Sequence, residues 1–183
     1  MYSLFYRYLQ KIILKNSFYD DILKIIHNEN IKHIVEIGCA DSIILKNLDE
    51  KYFYNGFDVE DNFIQKSKLK FSDNKKYKFE TKSIHEINLD EYNETETIIL
   101  LVGVFHHVND DYIKIFLKKS ERFKVYAIDA VRLKDQKFFT KLLMDFDKGK
   151  YVRFEDQYKR LLAGYDFILA RNKYLNFKYD HLI

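Results

Sequence analysis

The chain has no proline, no tryptophan, five glycines and one cysteine, Cys39, in 183 residues. A single cysteine excludes an internal disulfide framework and any zinc site built from several thiolates. A reducing cytoplasm is the expected home. The longest apolar run, Ile98 to Phe105, is far short of the ~20 residues that span a bilayer, so no membrane span is expected. Met1-Tyr2-Ser3-Leu4-Phe5-Tyr6-Arg7 lacks the charged start and long apolar core of a signal peptide. Charge of one sign is also missing: the net value of +3 makes no demand for a nucleic-acid partner. No repeat, low-complexity tract or linker divides the chain, and one domain over residues 1–183 is expected.

What is present fits a folded globule: 47% hydrophobic and 32% charged residues, with 15 Tyr and 16 Phe. Lysines gather at Lys66, Lys68, Lys70, Lys75, Lys76 and Lys78, with Phe71 and Tyr77 among them. A solvated helix face, loop and edge strand explain that cluster better than a stacking platform for nucleic acid.

Hydrophobic periodicity organises the rest. Residues 2–27 read as one or two amphipathic helices, with Leu4, Tyr8, Ile12, Leu14, Phe18, Ile22, Ile25 and Ile26 on the apolar faces. Residues 1–29 form a helical lid in this reading, and 30–183 the core. Strands are expected near 32–37, 52–58, 77–82, 97–104 and 123–130. Helices are expected near 42–49, 60–70 and 110–121, with a last helical part over 134–163 broken around Gly149. Closing strands near 166–172 and 174–180 turn at Arg171-Asn172-Lys173. Alternating strands and helices call for a doubly wound, mostly parallel α/β sheet. The short final connection adds an antiparallel C-terminal edge strand.

Between the first two strands lies the most specific signal. His33-Ile34-Val35-Glu36-Ile37 runs into the small-residue turn Gly38-Cys39-Ala40-Asp41-Ser42. Twenty residues beyond Gly38, Asp58 ends the second strand, which is where an acid takes two ribose hydroxyls. Ala40 and Ile43 break the glycine fingerprint of a dinucleotide site. Asp41 at the turn would repel a diphosphate. S-adenosylmethionine carries a sulfonium and an ammonium instead, and Asp41 and Glu36 suit its cationic end. The plainer alternative makes Asp41 a helix N-cap and Glu36 a partly paired surface acid.

Glu36 through Ser42 resembles the first motif of class I S-adenosylmethionine-dependent methyltransferases, and Asp58 matches their ribose acid. Ile98-Ile99-Leu100-Leu101-Val102-Gly103-Val104-Phe105-His106-His107-Val108 looks like their fourth strand and the loop after it. Asp147 to Arg153 is similar to a segment of bacterial members that act on small molecules or sugars. The resemblance implies a Rossmann-like fold and S-adenosyl-L-methionine as cofactor. The cofactor-binding residues it implies are Glu36, Gly38, Cys39, Ala40, Asp41, Asp58, Val59, Ser83, Ile84, Gly103 and Phe105. Two departures stand out. Ala40 and Ser42 occupy glycine positions, and Ser83-Ile84 stands where an acid for the adenine amino group is usual.

Transfer to a hydroxyl or a protonated amine needs a base, and histidine titrates in the right range. His106 is the first choice and His107 the second; the alternative has one capping the helix near Asn109-Asp110 and the other packing under the loop. Adjacent Asp110-Asp111 serves a helix dipole better than a metal, so no metal is expected. Tyr151 and Arg153 are the substrate candidates: Arg153 either reaches an anionic acceptor or pairs with Glu155 or Asp156. Asp129 lines the acceptor pocket or caps the segment after the fifth strand, and that pocket is expected to be modest and rich in Tyr and Phe. The reaction expected is methyl transfer to an oxygen or nitrogen of a small molecule, such as a sugar or glycan precursor. A methyltransferase acting on RNA or protein, and a non-catalytic binding module, are the competing readings.

Overall fold

The computed structural model describes residues 17–28, 30–132, 134, 149–165, 171–173 and 180–182. Helix α1 (Ser17–Asn28) precedes strands β1 (His33–Ile37) and β2 (Phe53–Asp58). Helix α2 (Asp61–Lys70), β3 (Tyr77–Thr81), β4 (Thr97–Val102), α3 (Asp110–Ser120) and β5 (Lys124–Arg132) come next. Strand β6 (Arg153–Phe154), helix α4 (Glu155–Leu161) and the short strands β7 (Arg171–Lys173) and β8 (Asp180–Leu182) complete the order.

The sheet runs β3-β2-β1-β4-β5-β8-β7, with β6 paired to β5. Pairings from β3 through β5 are parallel, and β8 lies antiparallel to both β5 and β7. This is the expected doubly wound, Rossmann-like sheet with its antiparallel edge.

Strand side chains alternate between two covered faces, which is why β4 reads as an unbroken apolar run from Ile98 to Val102. On one face Ile34, Tyr54, Ile98 and Leu100 pack with Ile22, Leu23 and Ile26 of α1 and Ile64 of α2. On the other, Val35, Phe57, Ile99 and Leu101 meet Ile113, Phe116 and Leu117 of α3 and Tyr158 and Leu161 of α4. The described part of the N-terminal helices is therefore a core layer; residues 1–16, including Leu4, Tyr8, Ile12 and Leu14, lie outside the described residues.

Three local expectations change. The helix expected over 42–49 is a single 3-10 turn, Ile43–Lys46, entered through Ser42 at φ 49° without a side-chain cap. A left-handed entry residue cannot extend an α-helix backwards, and a turn from Asp49 to Tyr52 leads straight into β2. The helix expected up to 163 contains strand β6, where Val131 and Arg132 pair with Arg153 and Phe154; residues 135–148 lie outside the described residues. Arg171-Asn172-Lys173 is strand β7 rather than the turn, because its backbone pairs with β8.

Candidate active site

Winding reverses between β1 and β4, and the loops at the carboxyl ends of β1, β2, β4 and β5 converge there, where ligands bind in such sheets. The turn after β1 is tied to the end of β2: the Gly38 and Cys39 amides donate to the Phe57 carbonyl at 2.7 and 3.0 Å. Gly38 sits at φ 73°, and a Cβ there would come within 2.6 Å of Val104 Cγ2. Only glycine accommodates both the backbone angle and the neighbour.

Asp58 is buried at the tip of β2. Its Oδ2 accepts the Ala40 amide at 2.9 Å and its Oδ1 accepts the Glu60 amide at 2.9 Å. One carboxylate thus fixes the turn and the start of α2, and each oxygen keeps a further lone pair. Ala40 and Ser42 are the two non-glycine residues with positive φ among the described residues, at 43° and 49°. The turn therefore keeps a glycine-type backbone without its glycines. Asp41 lies between them, half-buried, and is not a helix cap; Ser42 holds the entry position of the 3-10 turn.

Glu36 is buried and accepts the Tyr54 hydroxyl. Burial pushes its carboxyl up to about 7, against the Tyr54 bond and with help from the Asp58 charge. At neutral pH it is a partly protonated group on Tyr54 rather than a standing anion, which tempers its expected role toward a cation. Burial also raises the Cys39 thiol.

Val59 is exposed, next to Asp58, and Ile84 is buried with Phe57 and Phe105. These apolar groups border the end of β2. Ser83 serves a local turn: its amide and hydroxyl both donate to Glu86 at 2.8 Å. Gly103, at φ 67°, ends β4 with its amide on the Ile128 carbonyl at 2.7 Å.

The two histidines separate cleanly. His107 is exposed; His106 is buried, with its ring Nδ1 on Asp129 and its backbone amide donating to the same carboxylate at 3.0 Å. With Asp129 accepting from Nδ1, proton acceptance falls to Nε2. The carbons flanking Nε2 face glycines: a Cβ on Gly149 would stand 2.4 Å from Cδ2, and one on Gly103 would stand 3.5 Å from Cε1. Neither histidine caps α3, because the Asn109 side chain accepts the Tyr112 amide at 2.9 Å.

Arg153 is buried and bonded to the scaffold. It donates to the Phe105, Tyr151 and Val108 carbonyls at 2.7, 3.0 and 2.7 Å, and to Asp110 at 2.6 and 2.8 Å. Its partner is neither Glu155 nor Asp156, and its guanidinium is occupied where an acceptor was expected. Tyr151 is exposed, with its amide on the His106 carbonyl at 2.9 Å. Beside it opens a cleft of about 550 Å³ lined by Asp110, Lys114, Lys150, Gln157 and Arg160. That surface is polar.

Sequence reasoning missed Tyr54 as the partner of Glu36 and Ser67 as a support of the turn, and gave Asp129 no definite partner. Ser67 was accessible in principle: Ile64, Ser67 and Phe71 share one face of α2 and its end, with Ser67 the polar member.

No protein-family model and no curated protein sequence matches the chain. Solved structures do match it in shape. Human N-acetylserotonin methyltransferase, in complex with S-adenosylmethionine, superposes with TM-score 0.66 at 18% identity over 97% of this chain and 53% of its own. The plantazolicin methyltransferase BamL, with S-adenosylhomocysteine, gives 0.66 at 17% over 88% and 65%. The methyltransferase domain of bacterial CtHen1-CN gives 0.66 at 13% over 90% and 94%. The chain thus has the methyltransferase fold and spans about half the length of the human enzyme. No described helix is long and apolar enough to cross a membrane.

Proposed function

We propose that the chain binds S-adenosylmethionine across the Gly38–Ser42 turn and the end of β2, and transfers its methyl group to an oxygen or nitrogen of a small-molecule acceptor. The observation that carries this reading is the Asp58 carboxylate, anchored by two backbone amides at the carboxyl end of β2, one strand from the switch point of the sheet.

The donor set fits the cofactor. Asp58 offers its remaining lone pairs to two ribose hydroxyls. Ile84, Val59 and Phe105 supply apolar surface for the base, and Asp41 and Glu36 supply acidity for the methionine end. When bound, the cofactor brings a methyl group already activated on a sulfonium. The protein is left to align the acceptor, exclude water and remove a proton. His106 takes the proton on Nε2, with Asp129 fixing the ring and balancing the charge that forms. His107, exposed beside it with ring centroids 4.0 Å apart, is the alternative base.

A small acceptor such as a sugar or glycan precursor fits the open cleft by Tyr151. An RNA or protein acceptor is disfavoured by the net charge of +3 and by Val104-Phe105-His106-His107 standing where the Asn/Asp-Pro-Pro-aromatic motif belongs. The positive φ at Ala40 and Ser42 favours one further reading, a binding module that keeps the fold without turnover. Calorimetry separates these cases. Saturable heat with S-adenosylmethionine is expected, and Asp58→Ala should cost about 2–4 kcal/mol of affinity by leaving buried donors unpaired. Absence of heat in the native chain refutes the reading. An unchanged affinity in Asp58→Ala moves the site elsewhere. Binding without methyl transfer to any acceptor supports the module.

A further inference from the structure

Glycine-type backbone at Ala40 and Ser42 costs energy that the rest of the molecule must offset. Backbone bonds alone do not account for it: Ser42 donates its amide to the Cys39 carbonyl at 2.7 Å, an ordinary turn bond. The additional contacts come from helix α2. The Ser67 hydroxyl lies 3.3 Å from the Ser42 hydroxyl and 3.5 Å from the Ala40 carbonyl, so it touches both left-handed residues. Ser42 and Ser67 are 0% and 2% exposed, so water does not compete for these bonds. Asp58 secures the same loop from its other side through the Ala40 amide.

We propose that Ser67 is a positioning residue that takes over the work of the missing glycines, its hydroxyl clamping Ala40 and Ser42 in the conformation the cofactor turn requires. The reference to a cofactor rests on the methyltransferase reading; the clamp itself does not. A turn of glycines holds this backbone without strain and needs no such clamp. The clamp and the strain must therefore be coupled, and a double-mutant cycle measures the coupling.

Amide exchange of residues 40 and 42, tracked by NMR in the ligand-free chain, reads the clamp directly. Ser67→Ala should speed exchange by about tenfold, the equivalent of one buried hydrogen bond. In an Ala40→Gly background, which relieves the strain at residue 40 and keeps the Ser42 hydroxyl, the same change should have less than about a threefold effect. Calorimetry with S-adenosylhomocysteine should show the same pattern, with affinity falling in the native turn and holding in the Ala40→Gly turn. Equal losses in both backgrounds, or no change in exchange on Ser67→Ala, overturn the proposal. Should Ser67→Ala fail to fold, the glycine background must restore folding; failure in both also overturns it. If the native chain binds no S-adenosylhomocysteine, the cofactor reading falls while the exchange measurement still decides the clamp.

Discussion

The turn between β1 and β2 and the loops beyond β4 and β5 solve the same problem with different materials. The first is held mainly by local backbone geometry, one carboxylate on two amides, and a pair of hydroxyls. The second is held by buried side chains whose partners lie far along the chain: His106 to Asp129, and the Arg153 cation to Asp110 and three carbonyls. Uncharged or singly held parts fail gradually when one is removed. A buried charge stripped of its partner fails at once. The acceptor half should therefore be brittle and the cofactor half tolerant.

The strongest expected effect is catalytic. His106→Gln should lower the methyl-transfer rate by roughly 10²–10⁴ with cofactor affinity unchanged, measured by single-turnover kinetics. Loss on His107→Gln instead assigns the exposed ring as the base. Next is Arg153→Met, which leaves three carbonyls and Asp110 without their donor. It should destabilise the fold by about 3 kcal/mol in urea titration. An unchanged midpoint with a weakened acceptor KM would return Arg153 to the substrate role and erase the contrast between the halves.

Glu36 brings a smaller, pH-dependent effect. Its folded carboxyl titrates near 7, above the 4.5 of a free glutamate, because burial opposes its charge. Between those values the folded state holds the extra proton, so stability falls as pH rises from 4.5 through 7. Glu36→Gln should remove that slope and gain about 2 kcal/mol at pH 8, read from thermal melts across pH. A cationic ligand would favour the ionised form, so native cofactor affinity should climb through pH 7 and then level. The smallest effect is at Ala40. Ala40→Gly should relieve about 1 kcal/mol of left-handed strain and bind the cofactor at least as tightly. A clear loss of affinity would mean that the Ala40 methyl contributes packing.

The same contrast explains what could be read from the sequence. Gly38, Asp58 and the strands around them are joined by short spacings and a hydrophobic rhythm, so the sheet and the turn were legible. The 3-10 turn at Ile43–Lys46 was not, because Ser42 carries no sign of a left-handed φ. Arg153 looked like a surface or substrate cation because its partner Asp110 lies 43 residues away. Asp129 had no legible partner for the same reason, 23 residues from the ring it holds. Strand β7 was mistaken for a turn because three polar residues at a sheet edge resemble one. Local geometry is written in spacing; partnerships across the sheet are written only in the fold.

The central claim is that the cofactor sits on the Asp58-anchored turn. Hydrogen-exchange mass spectrometry with and without S-adenosylhomocysteine tests it most directly. Protection is expected over residues 38–42 and 58–60, where Asp58 grips the Ala40 and Glu60 amides. Protection confined to the cleft over residues 149–161, or no protection anywhere, would contradict it.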